Sequence, residues 1–353
     1  MKAIGVEPGG SDPRLLEMPR PDPKPGEALV RTLRVGVDGT DHEVIAGSHG
    51  GPPPGEDVLV LGHEAVGVVE EPNGTGFDHG DVVTPTVRRP PAAGSNEYFE
   101  RDEADMAPPG ATVERGIDGA HGFMSEFFTS PASTLVSLPE TLAQWGFLVE
   151  PMSISEKALE LARASRSPFT WEPETALVLG KGSLGLLTVA MLTGRFEVYC
   201  VGRTDRPHPS IDIIERLGAT YINSRETAVS AVPEVHEPAD LVYEATGHAK
   251  HVFESVEALA PNGVAALLGL PDSWTFEVDG GRFHEQLVLS NRALVGSVNS
   301  GPRHFRAAVD RLGSFPGWFL ESYVSRIADL DSFGAAFETD GPIIKTAVQF
   351  DTV

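Results

Sequence analysis

Two hydrophobic patterns divide the chain. Up to about residue 150, short apolar runs are broken by Gly and Pro, as in GEALVRTLRVGV, DVLVLGHEAVGVVEE and HGDVVTPTV. Runs of that length and punctuation predict an antiparallel, barrel-like β domain. The stretch from Arg88 to Gly110, RRPPAAGSNEYFERDEADMAPPG, has no period and predicts a long lobe or loop. After Glu150 the period lengthens: EPMSISEKALELARA has Pro151 near its start and helical apolar spacing. TALVLG, EVYCVG, ADLVYEATG, GVAALLGL and ALVGSV then read as strands. SLGLLTVAMLT, SIDIIERLGA (ending at Gly218) and HVFESVEALA read as helices among them. This alternation predicts an α/β fold with a doubly wound parallel sheet. A last helix, HFRAAVDRLG, and a strand, IIKTAVQF, are expected to return to the first domain. The expected domains are residues 1–155, completed by about 301–353, and residues 156–300, with no internal repeat.

Composition adds bounds to this picture. A chain of 353 residues, 41% hydrophobic, suits about two domains with a sizeable core. No apolar run approaches the ~18 residues of a membrane span. MKAIGVEPGG lacks the apolar centre of a signal peptide, so a cytoplasmic location and no membrane partner are expected. The net charge of −24 repels nucleic acid phosphates, which excludes that class of partner. Basic residues are 21 Arg against 6 Lys. An acidic, lysine-poor surface suits concentrated salt, where a Debye length of about 3 Å screens self-repulsion; an ordinary acidic enzyme is the plainer alternative. The lone cysteine, Cys200 in VYCVG, reads as part of a buried strand. Any transition-metal site must therefore draw on His and carboxylates.

GKGSLG, residues Gly180, Lys181, Gly182, Ser183, Leu184 and Gly185, follows a strand and opens a helix. In that context GxGxxG is a dinucleotide loop. Its first glycine allows the tight turn, the second close approach of a pyrophosphate, and the third helix–strand packing. The helix N-terminus favours the phosphate charge. Where an NAD site usually carries an acid for the ribose, this chain has Gly202 and then Arg203, with Arg206 close by. A guanidinium pairs with a 2′-phosphate and a carboxylate repels it, so NADP is preferred and NAD remains possible.

Metal-ligating types occur in three separate segments. VGVDGTDHEV carries Asp38, Asp41 and Glu43 around Thr40 and His42; GHEAVGVV supplies His63 and Glu64; VEP supplies Glu150. One histidine with carboxylates can form an open divalent site. Spacing alone does not establish one, because the segments lie far apart and a Gly-His-Glu is often only a turn.

GHEAVGVVEE, HGDVV, Glu150-Pro151 and GKGSLG, in this order, resemble the zinc-containing medium-chain dehydrogenases over essentially the whole chain. ERGIDGAHGFMSEF and GSVNSGPRHFRAA resemble the sugar-binding loop and the cofactor–sugar segment of archaeal glucose dehydrogenases. With the acidic charge added, the resemblance is to those of halophilic archaea. It implies a GroES-like β-rich catalytic domain, a Rossmann domain, a catalytic zinc, and a homodimer or homotetramer. It further implies Asp38, His63 and Glu150 as ligands, with Asp38 where the family usually has Cys, and Glu64 as a conditional ligand. Thr40 resembles the hydroxyl that starts the family's proton relay, which His42 could extend. Asp41 and Glu43 are left to a helix start or to surface charge. Glu114, Glu150 and Asn299, with Thr40, are implied to bind the sugar. Leu268, Gly269, Leu270, Ser297, Val298 and Asn299 are implied to line the cofactor. The lobe, where many relatives hold a second zinc through four cysteines, has none, so one zinc per subunit and no structural zinc are expected. The implied reaction oxidises β-D-glucose at C1 to glucono-1,5-lactone. The competing readings are a dehydrogenase of another aldose, polyol or secondary alcohol, a metal-free quinone or enone reductase, and a noncatalytic NADPH-binding protein.

Overall fold

A computed structural model describes residues 1–10 and 12–352 of the protein. The chain forms two compact units, Met1–Ser153 with Asn299–Val353, and Ile154–Val298.

The first unit is built on a mostly antiparallel seven-stranded sheet. Its order runs Leu135–Ser137, Val82–Pro85, Glu64–Glu71, Glu27–Val37, Lys345–Gln349, Val324–Asp329, with Phe127–Pro131 also pairing to Glu27–Val37. The long central strand reads EALVRTLRVGV and is buried at nearly every position, so its apolar residues pack on both faces. Val30, Val35, Val69, Phe123, Phe128 and Val348 share one core. The final strand inserts beside the long strand, which completes the sheet from the far end of the chain.

The stretch 88–110 is not structureless. It contains the strand Arg88–Arg89, the short helix Glu97–Glu100 and a 3₁₀ turn at Ala104–Met106. Within the long lobe or loop expected from the sequence, the arginines fix the shape of the backbone. Arg89 is buried and donates to the carbonyls of Thr86 and Arg88 and to Ser130 Oγ. Buried guanidinium groups need such acceptors, and they bind the backbone into fixed shape.

The second unit holds a six-stranded, wholly parallel sheet in the order Thr220–Asn223, Glu197–Gly202, Thr175–Leu179, Ala239–Glu244, Leu259–Leu267, Ala293–Gly296. Numbered along the unit this is 3-2-1-4-5-6, whose topological switch point lies between Thr175–Leu179 and Ala239–Glu244. The helix Gly280–Leu289, N-capped by Asp279, was not anticipated from the sequence. None of its residues is fully buried: Phe283, Gln286, Leu287 and the C-cap Ser290 form a half-buried face, with Phe283 against Phe253, and Val288 and Leu289 are exposed.

Candidate active site

The opening turn of the short helix Gly39–Ala46 sets the geometry. Asp38 is its N-cap and accepts from Asp41 N at 3.2 Å, while the Asp41 carboxylate accepts from Asp38 N at 3.0 Å. This reciprocal capping box satisfies two helix-end donors. Asp41 is fully buried and also accepts from Gly62 N at 3.3 Å. It starts a helix, as one reading of the sequence had it, and the alternative of surface charge is corrected. In doing so it clamps the turn bearing Asp38 to the turn bearing His63. Thr40 donates to Asp38 Oδ2 at 3.4 Å. His42 packs edge-on against Phe337, and no hydrogen bond joins it to Thr40 among the described residues.

His63 Nε2 lies 3.7 Å from Asp38 Oδ2, and its buried Nδ1 has no hydrogen-bond partner. Glu150 is buried in the first turn of the helix Val149–Arg166, where the helix dipole favours an anion. Ligand atoms of Asp38, Asp41 and His63 lie within 4.8 Å of one another, and so do those of His63, Glu64 and Glu150. Three distant segments therefore converge on one imidazole.

Glu64 reveals a residue the sequence reading missed. Its carboxylate forms an ion pair with Lys345, both side chains being 1% exposed. Glu64 and Lys345 stand on strands that flank Gly36 of the long strand. A Cβ at Gly36 would lie 2.0 Å from Glu64 Oε2, so only glycine lets the pair meet across it. The signal in the sequence was a lysine inside the apolar strand IIKTAVQF, since a buried ammonium requires a partner.

The charges of this cluster are out of balance. Burial pushes the Glu150 carboxyl up to about 8 and the Asp41 carboxyl up to about 7, and the neighbouring carboxylates add to both shifts while His63 opposes them. Burial also raises Glu64, against the pull of Lys345. For His63, burial disfavours the charged ring, but Asp38, then Asp41 and Glu150, hold its pKa well above the ordinary value. Four acids face two cations. Against the cost of burial, His63 and Lys345 hold the Asp38 carboxyl below its usual range. A divalent cation fits this donor set: the orphaned imidazole nitrogen, the ionised Asp38 and the Glu150 carboxyl raised by burial are groups that an ion would engage.

Glu114 and Asn299, far apart in sequence, meet directly: Asn299 Nδ2 donates to Glu114 Oε1 at 3.3 Å.

The nucleotide loop lies at the switch point of the second unit. Gly180 has φ +113°, and a Cβ at Gly185 would lie 2.0 Å from Gly180 O, while Gly182 faces open space. The helix Ser183–Leu192 begins there from Gly182, which offers no side-chain cap. An open pocket of about 530 Å³ is lined by Gly202, Arg203, Ser224, Thr246, Gly247 and His248, among others. Arg203 is exposed and has no ion pair among the described residues. Arg206 is paired with Glu215 instead of pointing free. Lys181 Nζ lies 3.5 Å from His208 Nε2. Leu268 N and Gly269 N donate to the carbonyl of Glu244, and Leu270 is exposed. Ser297 N donates to Leu267 O, Ser297 Oγ is buried without a partner, and the Val298 carbonyl accepts from Lys157. Cys200 is buried, and burial pushes its thiol up to about 12, consistent with a structural role.

Residues 24–140 match the alcohol dehydrogenase GroES-like domain family, and residues 143–350 match the glucose dehydrogenase C-terminus family. The chain belongs to the glucose dehydrogenase family of medium-chain dehydrogenases. Within this family it is 62% identical to a glucose 1-dehydrogenase of Haloferax mediterranei, over 100% of both chains. It is 60% identical, with the same coverage, to a glucose 1-dehydrogenase of Halobacterium salinarum. The solved structure of the Haloferax mediterranei glucose dehydrogenase in complex with NADP, Zn and gluconolactone superposes with a TM-score of 0.98 over 100% of both chains.

Proposed function

We propose that the protein is an NADP-dependent glucose 1-dehydrogenase that oxidises β-D-glucose at C1 to glucono-1,5-lactone. The observation that carries this reading is the full-length likeness, 62% identity at a TM-score of 0.98, to an enzyme solved with NADP, Zn and gluconolactone. Asp38, His63 and Glu150 would hold one zinc, with Glu64 in reserve because Lys345 engages its carboxylate. A zinc bound there supplies Lewis acidity that lowers the pKa of the C1 hydroxyl, and NADP supplies the hydride acceptor.

The chain's own residues do the rest. Thr40, or water beside Glu64 or Glu150, takes the hydroxyl proton. Glu114, Glu150 and Asn299 bind the sugar hydroxyls, and a buried polar partner left unpaired by a wrong sugar gives discrimination. Gly180–Gly185 cradle the pyrophosphate and Arg203 pairs with the 2′-phosphate, with Arg206 in a supporting position once released from Glu215. NAD binds more weakly, because it brings Arg203 no charge to pair with. The lobe needs no second zinc: it has no cysteine, and its buried arginines supply the cations that order it.

A second copy of the chain pairs at the edge strand Ala293–Gly296, which is only half-buried beside the exposed Val288 and Leu289. No helix of the described residues is long and apolar enough to cross a membrane, which suits a cytoplasmic enzyme in concentrated salt. The test is NADP reduction with glucose and a panel of aldoses and polyols in molar salt, before and after chelation. Turnover greatest with glucose and abolished by chelation is expected. Turnover with another alcohol alone, or unaffected by chelation, would overturn the reading.

A further inference from the structure

Arg88 connects the lobe to the sugar-binding residues. In the antiparallel pairing of Arg88–Arg89 with Val113–Arg115 it lies directly opposite Glu114. Its Nε donates to Glu114 Oε1 at 2.8 Å. Its Nη1 points into a cup of three lobe carbonyls, those of Ala104 at 3.3 Å, Asp105 at 3.0 Å and Ala107 at 3.0 Å. The side chain of Arg88 is 9% exposed and that of Glu114 is 18% exposed. The same Glu114 oxygen accepts from Asn299 Nδ2, and Asn299 Oδ1 in turn accepts from Ser300 N at 2.9 Å. Glu114 Oε1 is thus held by two donors, while Oε2 has no hydrogen-bond partner among the described residues.

A carboxylate with one oxygen pinned cannot turn about its axis. Its second oxygen, which has no hydrogen-bond partner among the described residues and remains reachable by a ligand, is then aimed in one direction. A buried guanidinium serves this purpose better than an ammonium, because its planar fork can hold the carboxylate and the carbonyl cup together. We propose that Arg88 is a positioning residue for sugar recognition: it fixes Glu114 so that Oε2 meets one particular hydroxyl, and it ties that geometry to the fold of the lobe. The proposal rests on the glucose dehydrogenase reading and deepens it.

The test compares the parent, Arg88→Met, Arg88→Lys and Glu114→Gln, and the double variant Arg88→Met/Glu114→Gln, in molar salt. For each, kcat and KM are measured with glucose and with each monodeoxyglucose, together with KM for NADP and Tm. Arg88→Met should raise KM for glucose by about 10–100-fold with KM for NADP unchanged. The penalty should vanish for the one deoxy sugar that lacks the hydroxyl held by Glu114, and for glucose in the Glu114→Gln background. Arg88→Lys keeps the charge without the fork, so it should keep Tm near the parent's while showing the same sugar-selective loss. If Arg88→Met does not fold, Arg88→Lys decides. An unchanged KM in folded Arg88→Lys, or a loss equal for every sugar, would overturn the role of Arg88 alone. A parent that reduces no NADP with glucose would overturn the function itself, and this proposal with it.

Discussion

The His63 cluster and the GKGSLG loop solve opposite electrostatic problems in one acidic chain. Around His63, side chains do the work: Asp41, Glu64, Glu150 and Lys345 are buried, and their acids outnumber their cations. At the GKGSLG loop the backbone does the work. The helix Ser183–Leu192 starts from a glycine with no side-chain cap, and Arg203, on the open pocket at the end of the neighbouring strand, is exposed. The donor set of the first region suits a cation, and the loop of the second suits an anion. Burial raises the stakes of the first: in a low dielectric an unpaired charge is expensive, so its geometry is tightly specified. The second tolerates solvent and is specified chiefly by where a side chain may not be, as at Gly180 and Gly185.

The contrast can be broken by variants, and the largest effect is expected where charges are buried. Asp38→Ala or His63→Ala should lower kcat/KM for glucose on the order of 10³-fold, since a metal's Lewis acidity contributes several kcal/mol. NADPH affinity, read by fluorescence titration, should stay near the parent's, because the nucleotide residues lie in the other unit. Equal losses in both measurements would show that the two regions are not separable.

Lys345→Met leaves the Glu64 carboxylate buried without its partner and should destabilise the fold by about 3–5 kcal/mol. Adding Glu64→Gln should recover part of that loss, and chemical unfolding in molar salt reads both. Were the single variant as stable as the parent, the ion pair would be no constraint on the sheet.

A smaller effect is expected at the exposed guanidinium. Arg203→Glu should lower the NADP/NAD ratio of kcat/KM by about 10–100-fold, in line with one charge-assisted hydrogen-bonded contact. An unchanged ratio would leave the 2′-phosphate to Lys181 or His208.

The smallest effect is a pH dependence. In the metal-free protein Glu150 holds its proton up to about 8 and Asp41 up to about 7, above their usual 4.5 and 3.8. Asp38, His63, Glu64 and Lys345 face these groups. The folded state therefore binds more protons than the unfolded state across that window, so its stability falls as pH rises through it and levels off above. Zinc needs deprotonated carboxylates, so its stabilisation grows over the same window. The Tm gap between zinc-loaded and chelated protein should widen from about pH 5 to about pH 8. A gap that narrows would mean the acids are not what the cation replaces.

Much of this was legible along the chain. The parallel sheet and the nucleotide loop follow from local periodicity and a six-residue motif, and both occur where the pattern placed them. The helix Gly280–Leu289 escaped because its apolar face is short and only half-buried, Phe283 packing on Phe253 while Val288 and Leu289 are exposed. Asp41 was ambiguous for a different reason: a carboxylate three residues into a helix turn looks the same in sequence whether solvated or sealed beneath a neighbouring loop. Arg88 carried no signal, since three of its partners are backbone carbonyls, which every residue has, and the fourth, Glu114, is brought opposite it only by strand pairing.

By itself the order of amino acids determined what repeats over a few residues: the strand and helix periods, the glycine spacing that admits a phosphate, and the absence of cysteine that limits any metal site to imidazole and carboxylate. Only the tertiary structure decided which donors meet. Lys345 reaches Glu64 because two strands flank a glycine, and His63 gathers acids from three segments because one sheet and one helix turn bring them within a few ångströms. Hydrophobic period and turn chemistry act between neighbours in the chain, whereas long-range hydrogen bonds and charge pairs act through space and depend on a fold already made.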